Sequence, residues 1–358
     1  MAPAPPPPYC CPGAEGGCSP ARFALPATLL APTGRKQYAV VTLLMRGDAY
    51  LPGALMLARS LREASPRLAA EVDLVCMVTP DVGAVARADL ATEFDRVDAV
   101  DYIEIPEALV NHSKPEVRPA YARTFTKLRC LTYAAYKKVL LVDADMVVVR
   151  PEVFALFDVP APAGVFFGCT RQFYADQFDA HVKAYCPRIA HGRPIPLDLF
   201  DRSCPGLPPS RTHERGAYLG VETSIALLEP SKRDFAALTA RLDEARALGV
   251  PRYGGDTTLL SEYYKGRWHS MDMRFLGRWT TPALRPEVFT VDMYGSEGKP
   301  WDALRRPELR SYPDVAFWLA EFRKAYRARF AKTCHHPGLK PLAQLAPPPP
   351  PSAKKTEG

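Results

Sequence analysis

Residues 138–149 read KVLLVDADMVVV and contain a D-x-D element. The unbroken apolar run before the two aspartates is typical of a strand covered on both faces, as in a parallel α/β sheet. Because side chains alternate along a strand, Asp143 and Asp145 should point to the same side. Two carboxylates at the end of such a strand suit Mn²⁺ or Mg²⁺, and such an ion bridges to a diphosphate.

The D-x-D pattern is weak when taken alone, because a chain of this composition contains about one such pair by chance. Its position favours the metal interpretation. The pair lies at the carboxyl end of the most strand-like segment, where open α/β sheets bind their ligands.

The composition indicates a globular protein that binds anions. The chain has 358 residues, a net charge of +7 and a pI of about 8.9, which favours ligands such as nucleotide phosphates. Basic runs interleaved with aromatic residues do not stand out, so we expect no nucleic-acid partner. The nine cysteines are irregularly spaced and are expected to be free thiols in a reducing compartment. No apolar run approaches the ~20 residues of a membrane span and no signal peptide is evident, which predicts a soluble cytoplasmic protein.

Proline is concentrated near the ends of the chain. The 38 prolines are about twice the usual ~5% share. We therefore predict disordered proline-rich tails at residues 1–35 and 334–358, with one domain at residues 36–333 between them. Within that domain, residues 170–216 should form a long irregular region on the substrate side, and residues 302–333 a charged helical region.

Strand and helix patterns alternate along the predicted domain. This order predicts an α/β fold with a mostly parallel sheet and helices on both faces. The predicted strands are residues 38–44, 72–78, 97–103, 138–142, 146–149, 164–168 and 219–228, and the main predicted helices are residues 50–64, 120–136, 231–247 and 254–264.

Six short motifs occur in a characteristic order between residues 38 and 301. They are Thr42-Leu43 followed by Asp48-Ala49-Tyr50, Thr126-Lys127-Leu128, Val142-Asp143-Ala144-Asp145, Leu228-Glu229-Pro230-Ser231, Gly254-Gly255-Asp256, and Gly298-Lys299-Pro300-Trp301. Together they resemble the glycogenin-like glycosyltransferases of family 8. The resemblance implies a single nucleotide-diphospho-sugar transferase domain of the GT-A type.

The resemblance also implies a nucleotide and metal half of the site. In this half of the site, Asp143 and Asp145 would hold Mn²⁺, with Mg²⁺ as the second choice. Tyr50 would stack on uracil. Packing at the start of a helix is the alternative role for Tyr50. The other nucleotide-binding residues that the resemblance implies are Thr42, Leu43, Ala144 and Lys299.

A sugar-facing half of the site is implied in the same way. Lys127 and Lys299 would face the sugar or the diphosphate, where a fixed positive charge stabilises the leaving group. A lone lysine is more often a solvated surface residue, and that alternative stays open here. Asp256 would contact the donor sugar, and it is also placed to act as a helix N-cap.

The sequence departs from the family pattern at three positions. Glu222 stands where the family has an Asn, Thr257 follows the Gly-Gly-Asp turn in place of Gln, and Asp292 is the nearest substitute for a missing His. We expect Glu222 to face the sugar. Asp292 is the candidate third metal ligand, which predicts activity with Mg²⁺ and no loss of metal affinity around pH 6. Residues 334–341 resemble the missing His element. They follow Lys299-Pro300-Trp301, whereas the family has this element before it, so we interpret the similarity as accidental.

The predicted function is retaining, Mn²⁺-dependent transfer of a hexose from a uridine diphosphate sugar to a hydroxyl acceptor. Glucose and galactose are the expected sugars, Asp256, Lys127 and Glu222 are the candidate catalytic residues, and a homodimer is retained as an option. Two alternatives stay open. Glu222 and Thr257 suggest a nucleotide-sugar-binding protein with weakened turnover, and the proline-rich tails suggest an interaction protein.

Overall fold

The structure is a computed structural model. It describes residues 36–112, 115–166, 190–200, 220–278, 280–284, 286–293 and 298–345. The predicted tail at residues 1–35 and most of the predicted loop at residues 170–216 therefore lie outside the described residues.

Ten strands are present among the described residues. They are β1 Tyr38–Leu44, β2 Val72–Val78, β3 Arg96–Ala99, β4 Lys138–Val142, β5 Met146–Val148, β6 Ala163–Phe166, β7 Val221–Leu228, β8 His269–Ser270, β9 Gly277–Arg278 and β10 Thr290–Asp292.

The helices are a mixture of α and 3₁₀ turns. The α-helices are α1 Leu51–Ala64, α2 Pro66–Ala70, α3 Ala84–Leu90, α4 Arg118–Tyr121, α5 Lys232–Leu248, α6 Asp256–Tyr263, α7 Pro313–Ala325, α8 Ala331–Thr333 and α9 Leu339–Gln344. The 3₁₀ helices are Glu107–Leu109, Pro115–Val117, Thr124–Thr132, Pro151–Asp158, Leu197–Phe200, Met273–Phe275, Pro300–Leu304 and Pro307–Ser311, and Tyr326–Phe330 is a π-helix. In the part of the chain that the structure describes, no helix has the length and apolarity needed to span a membrane.

The strands form one large sheet and one small sheet. The large sheet has the order β3-β2-β1-β4-β7-β6-β8, and β7 runs antiparallel to both of its neighbours while the other pairs are parallel. The small sheet has the order β5-β10-β9. These pairings confirm the predicted α/β class with a mostly parallel sheet.

Helices cover both faces of the large sheet, as predicted. In β1, Val40 and Leu44 face a core that also contains residues of α1, α3 and α7. Ala39, Val41 and Leu43 alternate with them and face a second core with the Thr124–Thr132 segment, α5 and α6. Burial on both faces explains why β1 reads as a continuous apolar run.

The single helix predicted at residues 120–136 is wrong. The chain forms α4 and then the 3₁₀ helix Thr124–Thr132, and its threonine hydroxyls bond to backbone groups. The hydroxyls of Thr124 and Thr132 donate to the carbonyl groups three residues earlier, Tyr121 O at 3.1 Å and Arg129 O at 2.8 Å. Threonine hydroxyls compete for backbone hydrogen bonds in this way, which disfavours a regular α-helix.

The folded part of the chain extends past the predicted domain end at residue 333. α9 buries Leu339 and Leu342 in the core shared with α1 and α7. The Asp89 carboxylate accepts hydrogen bonds from the backbone N–H groups of His335 and His336, at 2.7 and 2.8 Å. The start of the predicted tail at residue 334 is therefore corrected, and the fold continues at least to residue 345.

Candidate active site

Four segments meet at the edge of the large sheet where β4 ends. Asp143 and Asp145 follow β4 directly, and Asp143 N donates to Ser224 O at 2.8 Å. Because β7 runs antiparallel to β4 and pairs Ile225 with Val142, the first four residues of β7 extend past the end of β4. The D-x-D turn therefore meets Glu222 and Thr223 at the edge where parallel α/β sheets bind ligands.

Lys127 is held between two carboxylates at this edge. Its Nζ lies 2.6 Å from Asp143 Oδ1 and 3.2 Å from Asp256 Oδ2, and the lysine side chain is 13% exposed. Burial would lower the pKa of Lys127, but the charges of Asp143 and Asp256 outweigh it and raise that pKa. Lys127 is therefore a buried site lysine and not the solvated surface residue of the alternative.

Lys299 has the same relation to the second aspartate. Its Nζ donates to Asp145 Oδ2 at 2.5 Å and to Met293 O at 2.9 Å. Burial would raise the pKa of the Asp145 carboxyl, but the ammonium group of Lys299 holds it below its usual range. The two aspartates of the D-x-D pair thus contact different lysines.

Acidic groups are crowded around Asp143. Burial raises the pKa of its carboxyl to about 7; Lys127 opposes the rise, and the nearby charges of Asp145 and Asp256 add to it. Lys127 offsets the effect of burial only in part, because its ammonium group is shared with Asp256.

Arg278 is a buried arginine of the site that was not predicted from the sequence. Its Nε donates to Asp292 Oδ2 at 2.8 Å, and its Nη2 lies 2.9 Å from Glu222 Oε2 and 3.2 Å from Ser224 Oγ. Periodicity gave no signal for it, because β9 is only two residues long. The one clue was chemical, since buried acids at positions 222 and 292 require a positive partner.

Asp292 lies in β10 against Arg278 and is almost fully buried. Burial raises the pKa of its carboxyl to about 6; Arg278 opposes this and Asp145 reinforces it. This direction opposes the expectation that Asp292 keeps its charge well below the range around pH 6. In the parts of the chain that the structure describes, no three His, Cys, Asp or Glu side chains form a ready metal cluster.

Hydroxyl groups connect the remaining site residues. The Thr223 hydroxyl donates to Asp256 Oδ2 at 2.7 Å and lies 2.6 Å from the Thr257 hydroxyl, which is 3.5 Å from Glu222 Oε1. Asp256 is the first residue of α6 and Gly255 is its N-cap, so the N-cap role proposed for Asp256 is wrong. Gly255 has φ +138°, and a Cβ there would lie 2.8 Å from Tyr121.

The predicted nucleotide residues lie on the other side of the D-x-D turn. Tyr50 precedes α1 and packs edge-on against Trp301 at 5.0 Å between ring centroids. Its packing at the helix start is therefore observed. Burial raises the pKa of Tyr50 to about 12, Lys299 opposes the rise and Asp145 supports it, which puts the phenol beside the acidic edge.

A close approach of helix to turn fixes the position of Ala144. A Cβ on Gly53 of α1 would lie 2.5 Å from Ala144 O and 2.6 Å from Trp301. Only a glycine permits this contact between α1 and the D-x-D turn.

Thr42 and Leu43 lie in β1, and the buried Thr42 hydroxyl finds no hydrogen-bond partner among the described residues.

The charges of the site fit a divalent cation. Among the described residues, the site holds five carboxylates against three cationic groups, which leaves a formal charge of −2 for this set. The carboxylates are hard oxygen donors of the kind that Mn²⁺ and Mg²⁺ prefer. The carboxylates are those of Asp143, Asp145, Glu222, Asp256 and Asp292, and the cationic groups are those of Lys127, Arg278 and Lys299.

Part of the chain that forms this edge matches the model of a known protein family. Residues 41–191 match the model of glycosyl transferase family 8, a segment that includes Lys127, Asp143 and Asp145. This segment, less than half of the chain, is similar to glycosyl transferase family 8. The family 8 match ends before β7, so Glu222, Asp256, Arg278 and Lys299 lie outside it.

Proteins similar to this chain include a viral and a human one. Uncharacterized protein R707 of Acanthamoeba polyphaga mimivirus is 25% identical over 75% of this chain and 83% of its own length. Human glycogenin-2 is 33% identical over 44% of this chain, which spans only 31% of that relative. Among solved structures, galactosyltransferase LgtC with donor and acceptor sugar analogs is 16% identical, with a TM-score of 0.46 over 74% of this chain and 89% of that chain.

Proposed function

We propose that this protein transfers a hexose from a uridine diphosphate sugar to a hydroxyl acceptor, with retention of configuration. The observation that carries the proposal is the meeting of Asp143 and Asp145 with Lys127 and Lys299 at the carboxyl edge of the sheet. Glucose and galactose are the proposed sugars, since the names of similar proteins include glycogenins and a galactosyltransferase.

A divalent ion, Mn²⁺ or Mg²⁺, would be held by Asp143 and Asp145. When bound, it supplies Lewis-acid neutralisation of the departing diphosphate. Asp292, whose Oδ2 accepts a hydrogen bond from Arg278, would be the third ligand. Asp292→Asn should then weaken Mn²⁺ binding measured without nucleotide, and unchanged binding would remove Asp292 from the ligand set.

The lysines would change partners when the donor binds. The carboxylates of Asp143 and Asp145, which Lys127 and Lys299 now neutralise, would then hold the ion. Lys299 would then turn its ammonium group to the diphosphate and stabilise the leaving group, as a fixed charge aimed at developing negative charge does. Lys127 would stay with Asp256 and orient that carboxylate toward hydroxyl groups of the donor sugar.

Tyr50 is proposed to stack on the uracil, with Thr42, Leu43 and Ala144 lining the nucleoside side. Its ring already lies at the start of α1 against Trp301, on the same side of the turn as Lys299. Glu222 is proposed to accept hydrogen bonds from the sugar, because its Oε1 lies 3.5 Å from the hydroxyl of Thr257, the residue next to Asp256.

The experiment that tests the proposal measures release of uridine diphosphate from UDP-glucose and UDP-galactose, with and without Mn²⁺. Metal-dependent release that increases with a sugar acceptor is the expected result. Binding of uridine diphosphate without any release would favour the second candidate, a nucleotide-sugar-binding protein, for which Thr257 and Glu222 are the motivating departures. Absence of both binding and release would overturn both the transferase and the nucleotide-sugar-binding function.

We also propose that the protein works in a reducing compartment such as the cytoplasm. The three cysteines within the described ranges, Cys76, Cys130 and Cys334, are buried free thiols. Burial raises the pKa of the Cys130 thiol to about 12, and it raises the pKa of the Cys76 thiol further. Such thiols are inert packing groups, so the protein should keep its activity in a reducing buffer.

A further inference from the structure

Arg278 joins the two sheets of the protein at the active-site edge. It lies in β9 directly opposite Asp292 of β10, in the small sheet. Its guanidinium group extends to Glu222 and Ser224 of β7, in the large sheet. The side chain is 3% exposed, so these contacts are made away from water.

The contacts fix the Glu222 carboxylate in one orientation. Oε2 of Glu222 is held at 2.9 Å by Nη2 of Arg278, while Oε1 faces the Thr257 hydroxyl at 3.5 Å. Thr257 is the second residue of α6 and adjoins Asp256, the candidate sugar contact. Oε1 of the Glu222 carboxylate is thereby directed toward the start of α6.

The pairing depends on the shape of the guanidinium group. A single arginine contacts Asp292 through Nε and Glu222 through Nη2. A planar fork can hold two carboxylates at fixed angles, whereas a lysine ammonium group is a point charge on a flexible stem. Removing the arginine would leave two buried acids side by side, and both carboxylates would have to move.

We infer that Arg278 is a positioning residue that orients Glu222 toward the transferred sugar and so determines which hexose the site accepts. The inference rests on the proposed function. Arg278 need not touch the substrate, because its effect passes through the Glu222 carboxylate. A displacement of such a group by about 1 Å can change a rate or an affinity on the order of 10²-fold.

The test is a double-mutant cycle between Arg278 and Glu222, read out by binding. Dissociation constants of uridine diphosphate, UDP-glucose and UDP-galactose are measured in Mn²⁺ for the unmodified protein, Arg278→Gln, Glu222→Gln and the double variant. The ratio of the two UDP-sugar affinities reports contacts to the hexose. The affinity for uridine diphosphate alone reports the nucleotide and metal half.

Arg278→Gln is expected to change the ratio of the UDP-sugar affinities by about tenfold; an effect of Asp292 on the nucleotide and metal half is common to both sugars and cancels in this ratio. In the double variant the ratio should equal that of Glu222→Gln alone, because Arg278 acts through Glu222. An unchanged ratio in Arg278→Gln, or independent effects that add in the double variant, would overturn the inference.

Arg329→Gln is the matched structural control. Arg329 also pairs with a buried glutamate, Glu93, and its Nη2 donates to Thr92 O at 2.8 Å, away from the site. This variant should lose stability without changing the affinity ratio. If Arg278→Gln does not fold, Arg278→Lys replaces it and should show the altered ratio in a folded protein; an unaltered ratio there overturns the inference. Failure of the unmodified protein to bind uridine diphosphate would instead refute the proposed function.

Discussion

The ammonium group of Lys127 lies 2.6 Å from Oδ1 of Asp143 and is shared with Asp256, whose Oδ2 is 3.2 Å away. One cation thus serves two carboxylates, and Asp145 adds a third negative charge nearby. A site with this imbalance is arranged for a positive ligand and is destabilised without one.

Asp143→Asn should abolish transfer without loss of the fold. The pKa of Asp143 is raised to about 7 in the folded protein, above its unfolded value of ~3.9. The stability linked to this group is therefore fully present below pH ~3.9 and is lost as the pH rises through about 7. At pH 8, with a chelator present, the variant should exceed the unmodified protein by about 1 kcal/mol in free energy of unfolding.

Asp243→Asn is the control for this comparison. Asp243 is 71% exposed in α5 and pairs with Arg246. Because exposed pairs contribute little, urea unfolding and transfer should both stay unchanged. A lower stability of Asp143→Asn at pH 8, or full transfer activity in that variant, would contradict the account of the acidic edge.

Lys299→Gln should weaken binding of uridine diphosphate in Mn²⁺ by about tenfold. The physical reason is the loss of one charge-assisted hydrogen bond to the diphosphate, which contributes about 1.5–3 kcal/mol. Calorimetric titration of the nucleotide measures it. Lys324→Gln, at a side chain that is 73% exposed, is the matched control and should bind as the unmodified protein does. Equal affinities in the two variants would remove Lys299 from the diphosphate site.

Gly53→Ala should destabilise the protein, although alanine favours helices over glycine by about 1 kcal/mol. The added Cβ would meet Ala144 O at 2.5 Å and Trp301 at 2.6 Å, so α1 would be forced away from the D-x-D turn. We expect a loss of about 1–3 kcal/mol in urea unfolding. Glu63→Ala, at an exposed position of the same helix, should change it by less than about 0.5 kcal/mol. A gain in stability from Gly53→Ala would contradict this packing.

The sequence carried enough signal to predict the strands that are buried on both faces. β1 and β2 begin and end at the residues expected, because each is an apolar run bounded by polar or turn residues. The carboxyl edge of β4 was predictable for the same reason. The resemblance added Lys127 and Lys299, for which spacing alone gave no role.

The parts that were not predicted depend on contacts distant in sequence. Arg278 is separated by 56 residues from Glu222 and lies in a two-residue strand, for which no periodic pattern exists. The N-cap of α6 was also not predicted from the sequence. Gly255 occupies that position, where an added Cβ would lie 2.8 Å from Tyr121. Site residues of this kind emerge only when the sheets are assembled.

A pair of truncations tests the corrected C-terminal boundary. A chain that ends at residue 345 should unfold in urea as the full chain does, because it retains α9. A chain that ends at residue 333 should lose about 3 kcal/mol or more, since it removes Leu339 and Leu342 from the core, and a single buried leucine contributes about 2–5 kcal/mol. It also leaves the carboxylate of Asp89, which is fully buried, without two backbone donors. Equal stability of the two truncated chains would restore the boundary predicted from the sequence and would mean that α9 contributes nothing to the fold.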